Sequence, residues 1–314
     1  MGLGWKSLAC AACAPVVVVV LLALALCMPN PGKVLLAPAR HTPASLWGAE
    51  YAPVVLDAAD MPAGALSDGG RRAPVTHGWW VPGGPTVVLA LHGRSRSKEW
   101  TLPALSGVAG NYSLLVFDFP GHGAAGFGLT TVGLREADVV DLALDWLAWA
   151  HPDAAVVVYG CSMGGAAGAI ALGRTPRDGH VLSLITDGAF ARLADVPRNL
   201  GSRFGVPVPD ALLAAVDAVL ALPILWDGVS MFDVEPLAYV TDLSVPAIFI
   251  HGEDDLLVPP SSAEELAAAA PHGKSYLYSG GHDEPTNAEV VKAVRTFADM
   301  SQLLAAMAKK ARLS

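Results

Sequence analysis

The sequence has few positive charges and few cysteines, and each shortage excludes a class of protein. Its 314 residues hold 20 Lys and Arg against 29 Asp and Glu, a formal net charge of −9. Because no basic cluster is large enough to neutralise a row of phosphates, we expect no nucleic-acid partner. Three of the four cysteines lie within the first 27 residues. The single cysteine that remains, Cys161, excludes a disulfide framework in the rest of the chain.

Charged residues are also scarce, at 16%, and one N-terminal segment has none. Residues 8–28 are uncharged and mostly apolar. This length matches the ~20 residues of a membrane-spanning helix and exceeds the ~7–15 apolar residues of a signal peptide. We therefore predict that residues 1–30 form an uncleaved membrane anchor, with the bulk of the chain outside the cytoplasm. The alternatives are secretion after cleavage near 23–25 and lipoprotein processing at Cys27, which the bulky Leu26 disfavours.

The rest of the chain predicts one main domain. Residues 31–73 are rich in Pro, Ala and Gly, and they predict a linker and edge strands with a turn at 68–70. The main domain covers 74–314, where apolar runs alternate with helix-length segments such as 134–150. Runs of this kind favour an α/β fold, a mostly parallel sheet with helices on both faces. The runs lie at 86–91, 114–119, 154–159, 182–186, 247–250 and 274–278.

One long insertion, at about 190–240, interrupts this alternation. Apolar residues recur in it at helical spacing, and Asp210 precedes them as a candidate N-cap. We predict a helical lid whose apolar face lines a substrate pocket. The alternative is a pair of crossover helices that only cover the sheet. The spaced apolar residues are Leu212, Leu213, Val216, Val219 and Leu220.

The stretch 160–164, Gly-Cys-Ser-Met-Gly, lies between an apolar run and small residues at helix-compatible spacing. A G-x-S-x-G pattern between strand and helix is typical of a nucleophile elbow, a strained turn that lifts a serine Oγ above the sheet. It makes Ser162 the candidate nucleophile, and it leaves Cys161 as a small buried residue turned toward the sheet. The alternative is a glycine-rich turn without chemistry.

Two downstream loops supply what a serine nucleophile needs. A serine hydroxyl is weak until a general base takes its proton and a third group orients that base. The loop 250–259 (IHGEDDLLVP) offers Asp254 and Asp255 as the orienting acid, unless it is only a solvated acidic loop. The loop 278–285 (YSGGHDEP) offers His282 as the base. Asp187, at the end of an earlier strand, is the reserve candidate for the acid.

The stretch 91–95 (LHGRS) ends another apolar strand and predicts an oxyanion hole. In sites built around such an elbow, one oxyanion donor is the backbone N–H after the nucleophile, and the other comes from this loop. These donors would be Met163 and Arg94. We expect the His92 side chain to hold the loop by hydrogen bonds, without acting as a base.

Together these segments resemble the α/β-hydrolase superfamily over about residues 74–304. The chain order Ser162, then the acid, then His282 is the order of that family. The pattern GxxDxxVP, matched within 252–259, implies that Asp255 is the acid. The stretch 118–123 (DFPGHG) resembles a structural turn of the family, which implies no catalytic role for its Asp and His.

With its apolar N-terminal segment, the layout is similar to that of membrane-anchored members of the superfamily. The loop HGRSRSKEW at 92–100 departs from the Asn/Gly-rich loop common in that subgroup, so the substrate does not follow from the resemblance.

The predicted function is hydrolysis of carboxylic esters, including thioesters and lipid esters, through an acyl-enzyme on Ser162. The predicted partners are a small-molecule or lipid ester and, through the N-terminal segment, a membrane. The mechanism calls for no cofactor and no metal. Two alternatives stay open, a serine peptidase of the same fold and a catalytically silent binding protein at the membrane. Acyl specificity, leaving group and oligomeric state do not follow from the sequence.

Overall fold

An eight-stranded sheet forms the centre of the protein. The computed structural model describes residues 41–126, 128–177, 179–222 and 228–313. The strand order in the sheet is β1-β2-β4-β3-β5-β6-β7-β8. Strand β2 is antiparallel to both of its neighbours, and all the other pairs are parallel. The strands are β1 (Ala52–Leu56), β2 (Thr76–Val81), β3 (Thr86–Leu91), β4 (Ser113–Phe117), β5 (Ala155–Cys161), β6 (Val181–Asp187), β7 (Ala247–Gly252) and β8 (Gly273–Tyr278).

Helices cover both faces of this sheet. The described helices are α1 (Pro43–Trp47), α2 (Asp68–Arg72), α3 (Glu136–Ala150), α4 (Met163–Arg174), α5 (Asp195–Arg203), α6 (Asp210–Leu220), α7 (Pro236–Val240), α8 (Ser261–Ala269) and α9 (Ala288–Leu313). Adjacent residues of β3 enter different apolar clusters, because successive strand side chains point to opposite faces. Leu89 packs in the cluster that contains Val140 of α3. Ala90 packs in the cluster that contains Val294 of α9. The predicted fold class, a mostly parallel sheet between two helical layers, is confirmed.

The segment before the main domain differs from the prediction at one place. Strands β1 and β2 pair at the sheet edge, but residues 68–70 belong to helix α2 and do not form a turn. Ser67 caps this helix by accepting from the Gly70 N–H, and its Oγ donates to Asp145 of α3 at 2.7 Å. A Cβ at Gly69 would lie 2.0 Å from Asp141 Oδ2. The two glycines therefore bring a short helix close to α3, a tertiary contact that overrides their turn preference.

The predicted insertion contains α5, α6 and α7. Three apolar residues of α6 are buried in the cluster that also contains residues of α3. They are Leu213, Val216 and Leu220. Asp210 is the first residue of α6 and not its N-cap, and it accepts an ion-pair hydrogen bond from Arg198 at 2.8 Å. The interpretation of this insertion as a lid stays a prediction, as do the domain boundaries.

Within the described residues, no helix combines the length and the apolar character needed to cross a bilayer. The predicted anchor at 1–30 lies outside the described residues, so it also stays a prediction.

Candidate active site

Ser162 lies at a strained turn between β5 and α4. Its φ is 48° and its ψ is −115°, a combination that costs a non-glycine residue about 1–3 kcal/mol. The glycines around it permit the sharp bend. A Cβ at Gly160 would lie 2.6 Å from the backbone of Gly164, and one at Gly164 would lie 2.4 Å from the Leu91 carbonyl oxygen. The turn therefore has the geometry of a nucleophile elbow, with the serine at the carboxyl end of the central strand.

Three predicted residues meet at this turn. The Ser162 Oγ lies 3.0 Å from His282 Nε2, and His282 Nδ1 lies 2.6 Å from Asp255 Oδ2. With the carboxylate at Nδ1, this nitrogen carries the proton, which leaves Nε2 free to accept from the serine hydroxyl. Ser162 is 9% exposed and Asp255 is fully buried. The arrangement pairs a nucleophile with a base and the base with an orienting acid.

Asp255 accepts four hydrogen bonds. Its Oδ2 accepts from His282 and, at 2.9 Å, from His251, while its Oδ1 accepts from the backbone N–H groups of Leu257 and Val258. Burial alone would raise the pKa of this carboxyl, but the hydrogen bonds from the two histidines outweigh it and hold the pKa well below its ordinary value. Asp255 is therefore a fixed anion beside His282.

The other candidate acids lie elsewhere. Asp254 is exposed, and its backbone N–H donates to the Gly280 carbonyl. Asp187 is buried, and its Oδ1 accepts from the Tyr278 hydroxyl at 3.1 Å. Burial, with the nearby carboxylate of Asp283, raises the pKa of Asp187 well above its ordinary value. The hydrogen bond to the His282 ring thus goes to Asp255.

The two predicted oxyanion donors belong to different segments, the start of α4 and the loop after β3. Met163 is the first residue of α4, so its N–H has no acceptor inside the helix. Arg94 follows Gly93 in the loop after β3, here called the oxyanion loop (residues 92–101). A Cβ at Gly93 would lie 3.4 Å from the Ser162 Cβ. The oxyanion loop therefore approaches the elbow at Gly93, one residue before the predicted donor.

Two histidines hold the oxyanion loop against the loop after β4. His92 Nδ1 lies 2.8 Å from the Gly93 carbonyl oxygen, and His92 Nε2 accepts from the Phe119 N–H at 2.9 Å. His122 Nε2 accepts from the Ser95 N–H at 3.1 Å. The role expected of His92, holding the loop, is what these contacts show. His122 also holds the loop, and nothing in the sequence around it indicated that Ser95 is its hydrogen-bond partner.

A buried ion pair fastens the same loop. Lys98 Nζ donates to Asp118 Oδ2, and the Lys98 backbone N–H donates to Asp118 Oδ1 at 2.7 Å. Asp118 also accepts from the Ala124 N–H at 2.7 Å. The described hydrogen bonds of the Asp118 carboxylate thus join the oxyanion loop to the loop after β4. The resemblance implied a structural role of this kind.

Cys161 lies beneath the elbow in the apolar cluster that contains α9. Its thiol donates to the Tyr159 hydroxyl at 3.1 Å, and burial raises its pKa well above the ordinary value. A thiol that stays protonated is a poor nucleophile. Cys161 is thus a packed structural residue, as predicted. Its Sγ lies within 4.8 Å of carboxyl oxygens of Asp187 and Asp283, the only group of three potential metal ligands among the described residues.

We expect His92 to make the protein less stable as pH falls. Burial and the neighbouring His122 lower the pKa of His92 to about 3, whereas an unfolded histidine titrates near 6.5. The unfolded chain therefore binds this proton first, and the stability that neutral His92 contributes is lost as pH falls from about 6.5 toward 3. Between pH 7 and pH 5 this amounts to about 2 kcal/mol of unfolding free energy.

Urea unfolding of wild type and His92→Gln at the two pH values tests this expectation. The variant should lose about 2 kcal/mol less than wild type between pH 7 and pH 5, whatever its stability at pH 7. His272→Gln, at an exposed position, is the control and should keep the wild-type pH dependence. An equal pH dependence in all three proteins would contradict the assignment.

Sequence comparison relates the chain to known hydrolases. A family model described as alpha/beta hydrolase fold matches residues 86–206, and one described as serine hydrolase (FSH1) matches residues 224–294. The chain is 26% identical over 234 residues to a pimeloyl-[acyl-carrier protein] methyl ester esterase of Xanthomonas campestris, covering 64% of this chain and 89% of the relative. The enzyme of the same name from Xylella fastidiosa is 25% identical over 234 residues, covering 63% and 88%.

Solved structures show the same fold. The esterase Pf2001 of Pyrococcus furiosus superposes with a TM-score of 0.58 at 22% identity, covering 87% of this chain and 96% of that one. A monoacylglycerol lipase of Paleococcus ferrophilus gives a TM-score of 0.52 at 17% identity, covering 74% and 98%. These two structures show the fold alone. The two family-model matches, together with the serine elbow, identify the chain as a serine hydrolase of the α/β-hydrolase superfamily.

Proposed function

We propose that this protein hydrolyses carboxylic esters through an acyl-enzyme on Ser162. The observation that carries the proposal is the continuous hydrogen-bond line from Ser162 Oγ through the His282 ring to Asp255, with distances of 3.0 and 2.6 Å. Each of these residues then has one role: Ser162 is the nucleophile, His282 the general base and acid, and Asp255 the group that orients the imidazole.

In the first half of the reaction, Ser162 Oγ bonds to the carbonyl carbon while its proton passes to His282 Nε2. The imidazolium that forms is stabilised by the buried anion of Asp255 and returns its proton to the leaving alcohol as the ester C–O bond breaks. In the second half, water gives a proton to the same nitrogen as its oxygen bonds to the acyl carbon. His282 then returns the proton to Ser162 Oγ as the bond between Oγ and the acyl carbon breaks and the acid leaves.

The negative charge that develops on the substrate oxygen needs donors already in place. The Met163 N–H at the start of α4 and the Arg94 N–H in the oxyanion loop supply them in this proposal. Two features favour this pair. The positive end of the α4 dipole lies at Met163, and the hydrogen bonds of His92, His122 and Lys98 hold the oxyanion loop beside the elbow.

An ester is favoured over a peptide by the relatives. Both curated relatives named above act on a methyl ester, and the compared solved structures are an esterase and a lipase. The acyl group is the finer part of the proposal, which includes short-chain esters, thioesters and lipid esters.

Hydrolysis of p-nitrophenyl esters of increasing acyl length, beside aminoacyl p-nitroanilides, tests the proposal. We expect turnover of esters and much slower or no turnover of anilides, since only ester hydrolysis is proposed. The chain length with the highest kcat/KM then defines the acyl pocket. Faster cleavage of anilides would establish the peptidase alternative. No turnover of any substrate, with no labelling by a fluorophosphonate, would favour the binding-protein alternative.

A further inference from the structure

The carboxyl group of Asp283 lies between the loop that carries His282 and the oxyanion loop. Asp283 follows His282 in the chain and is 4% exposed. Its Oδ2 accepts from Trp100 Nε1 at 3.0 Å and lies 3.8 Å from Arg96 Nε. A Cβ added to Gly93 would lie 3.0 Å from the same oxygen. One carboxyl oxygen therefore contacts the oxyanion loop near Gly93 and at Trp100.

Trp100 is itself held in place within the oxyanion loop. It belongs to the short 3₁₀ helix Lys98–Thr101, which begins at the buried Lys98–Asp118 ion pair. The Arg96 guanidinium lies over its ring, 3.7 Å from the centroid. The indole is thus a fixed donor, and its hydrogen bond to Asp283 joins segments 183 residues apart in sequence.

The backbone at Asp283 is also strained. Its φ is 54°, in the left-handed region that only Gly adopts without cost and that Asn and Asp tolerate best among the other residues. Strain of this kind persists where the surrounding contacts determine the conformation. Here the contacts are those of the Asp283 side chain, so they help to set the backbone directly after His282.

We propose that Asp283 is a positioning residue that, through Trp100, sets the placement of the oxyanion loop relative to His282. The inference rests on the proposed function, because it concerns the relative positions of the base and an oxyanion donor. Among the hydrogen bonds of the described residues, none joins the Asp283 carboxyl to Ser162 Oγ or to the His282 ring. In this proposal Asp283 acts on the rate through the two loops that it connects. The same carboxyl also lies within 4.8 Å of the Cys161 Sγ and of an Asp187 carboxyl oxygen.

This role predicts a particular pattern in the kinetics. A displacement of about 1 Å between reacting groups lowers the rate by as much as 10²-fold. We therefore expect Trp100→Phe and Asp283→Ala each to lower kcat for a short ester by about 10- to 100-fold, with KM within about threefold of wild type. Since both changes break the same contact, the double variant should be no slower than the slower single variant.

Asp283→Asn is the conservative variant. The Asn side chain keeps an oxygen that accepts from Trp100 Nε1, and Asn tolerates a positive φ. We expect its kcat to remain within about threefold of wild type, a rescue that would not occur if the negative charge of Asp283 were what the rate depends on. Trp149→Phe, at an exposed tryptophan on α3, is the matched control for Trp100→Phe and should behave as wild type.

Kinetics of these variants on one p-nitrophenyl ester, with thermal unfolding of each, test the inference. Wild-type kcat in Trp100→Phe, multiplicative losses in the double variant, or an Asp283→Asn loss equal to that of Asp283→Ala would each overturn it. If Asp283→Ala does not fold, Trp100→Phe and Asp283→Asn still decide. Failure of the proposed function looks different, because wild type itself would then not hydrolyse the ester or label at Ser162.

Discussion

Ser162→Ala is expected to lower kcat for ester hydrolysis by about 10⁶-fold, the loss that removal of such a nucleophile causes in a serine hydrolase. The methyl group cannot bond to the carbonyl carbon, so no acyl-enzyme forms, while the oxyanion donors and the rest of the site remain. Because the Ser162 hydroxyl makes only the hydrogen bond to His282 among those described for its side chain, thermal unfolding should stay close to that of wild type.

A fluorophosphonate probe gives an independent measurement of the same prediction. It should label wild type at Ser162 and leave Ser162→Ala unlabelled. Ser275→Ala, at an exposed serine on β8, is the control and should be labelled and active like wild type. Labelling of another serine, or turnover by Ser162→Ala at the wild-type rate, would contradict the mechanism.

Asp255→Asn is expected to lower kcat by about 10⁴-fold, as the corresponding change does in a serine protease. Asp255 accepts four hydrogen bonds from N–H donors. Two of these donors share each carboxylate oxygen. An Asn has one oxygen and one NH₂ group, so the NH₂ group would face two N–H donors and accept from neither. Turning the amide NH₂ toward His282 would select the wrong tautomer of the ring, with the proton on Nε2 and none accepted from Ser162.

Asp254→Asn is the matched control for this change. Its side chain is exposed, and an exposed carboxylate near the site acts only through screened electrostatics, so we expect a loss of tenfold or less. Steady-state kinetics of both variants on one ester decide the matter. A larger loss for Asp254→Asn would transfer the orienting role to Asp254, and wild-type rates in both variants would make Asp187 the candidate acid.

The sheet could be predicted from sequence because its central strands are covered on both faces. Such strands are apolar at most positions, and so they stand out as near-continuous runs. The run at 86–91 coincides with β3, and the others begin and end within about two residues of their strands. Strand β1 lies at the sheet edge and is partly exposed, and its neighbour β2 has a mixed sequence. There the prediction gave only the approximate place of the strands.

Those parts of the candidate site that depend on short sequence patterns could be predicted. An elbow needs glycines at fixed positions around the serine, since a Cβ at Gly160 or Gly164 would overlap the backbone. The acid and the base each follow a strand, and the carboxyl ends of parallel strands meet at one edge of the sheet. The sequence alone therefore determined the strands, the elbow, and the loops on which an acid and a base lie.

Tertiary structure decided which side chains of those loops touch, although the family resemblance already implied Asp255 as the acid. It places Asp255 on His282 and leaves its neighbour Asp254 exposed. It turns residues 68–72 into a helix through the contact with Asp145, 78 residues from Ser67. It also joins Trp100 to Asp283 across 183 residues. Such pairs depend on how loops that are far apart in sequence come together over the sheet. Hydrophobic periodicity reports only the environment of each segment, so it does not show which loops will meet.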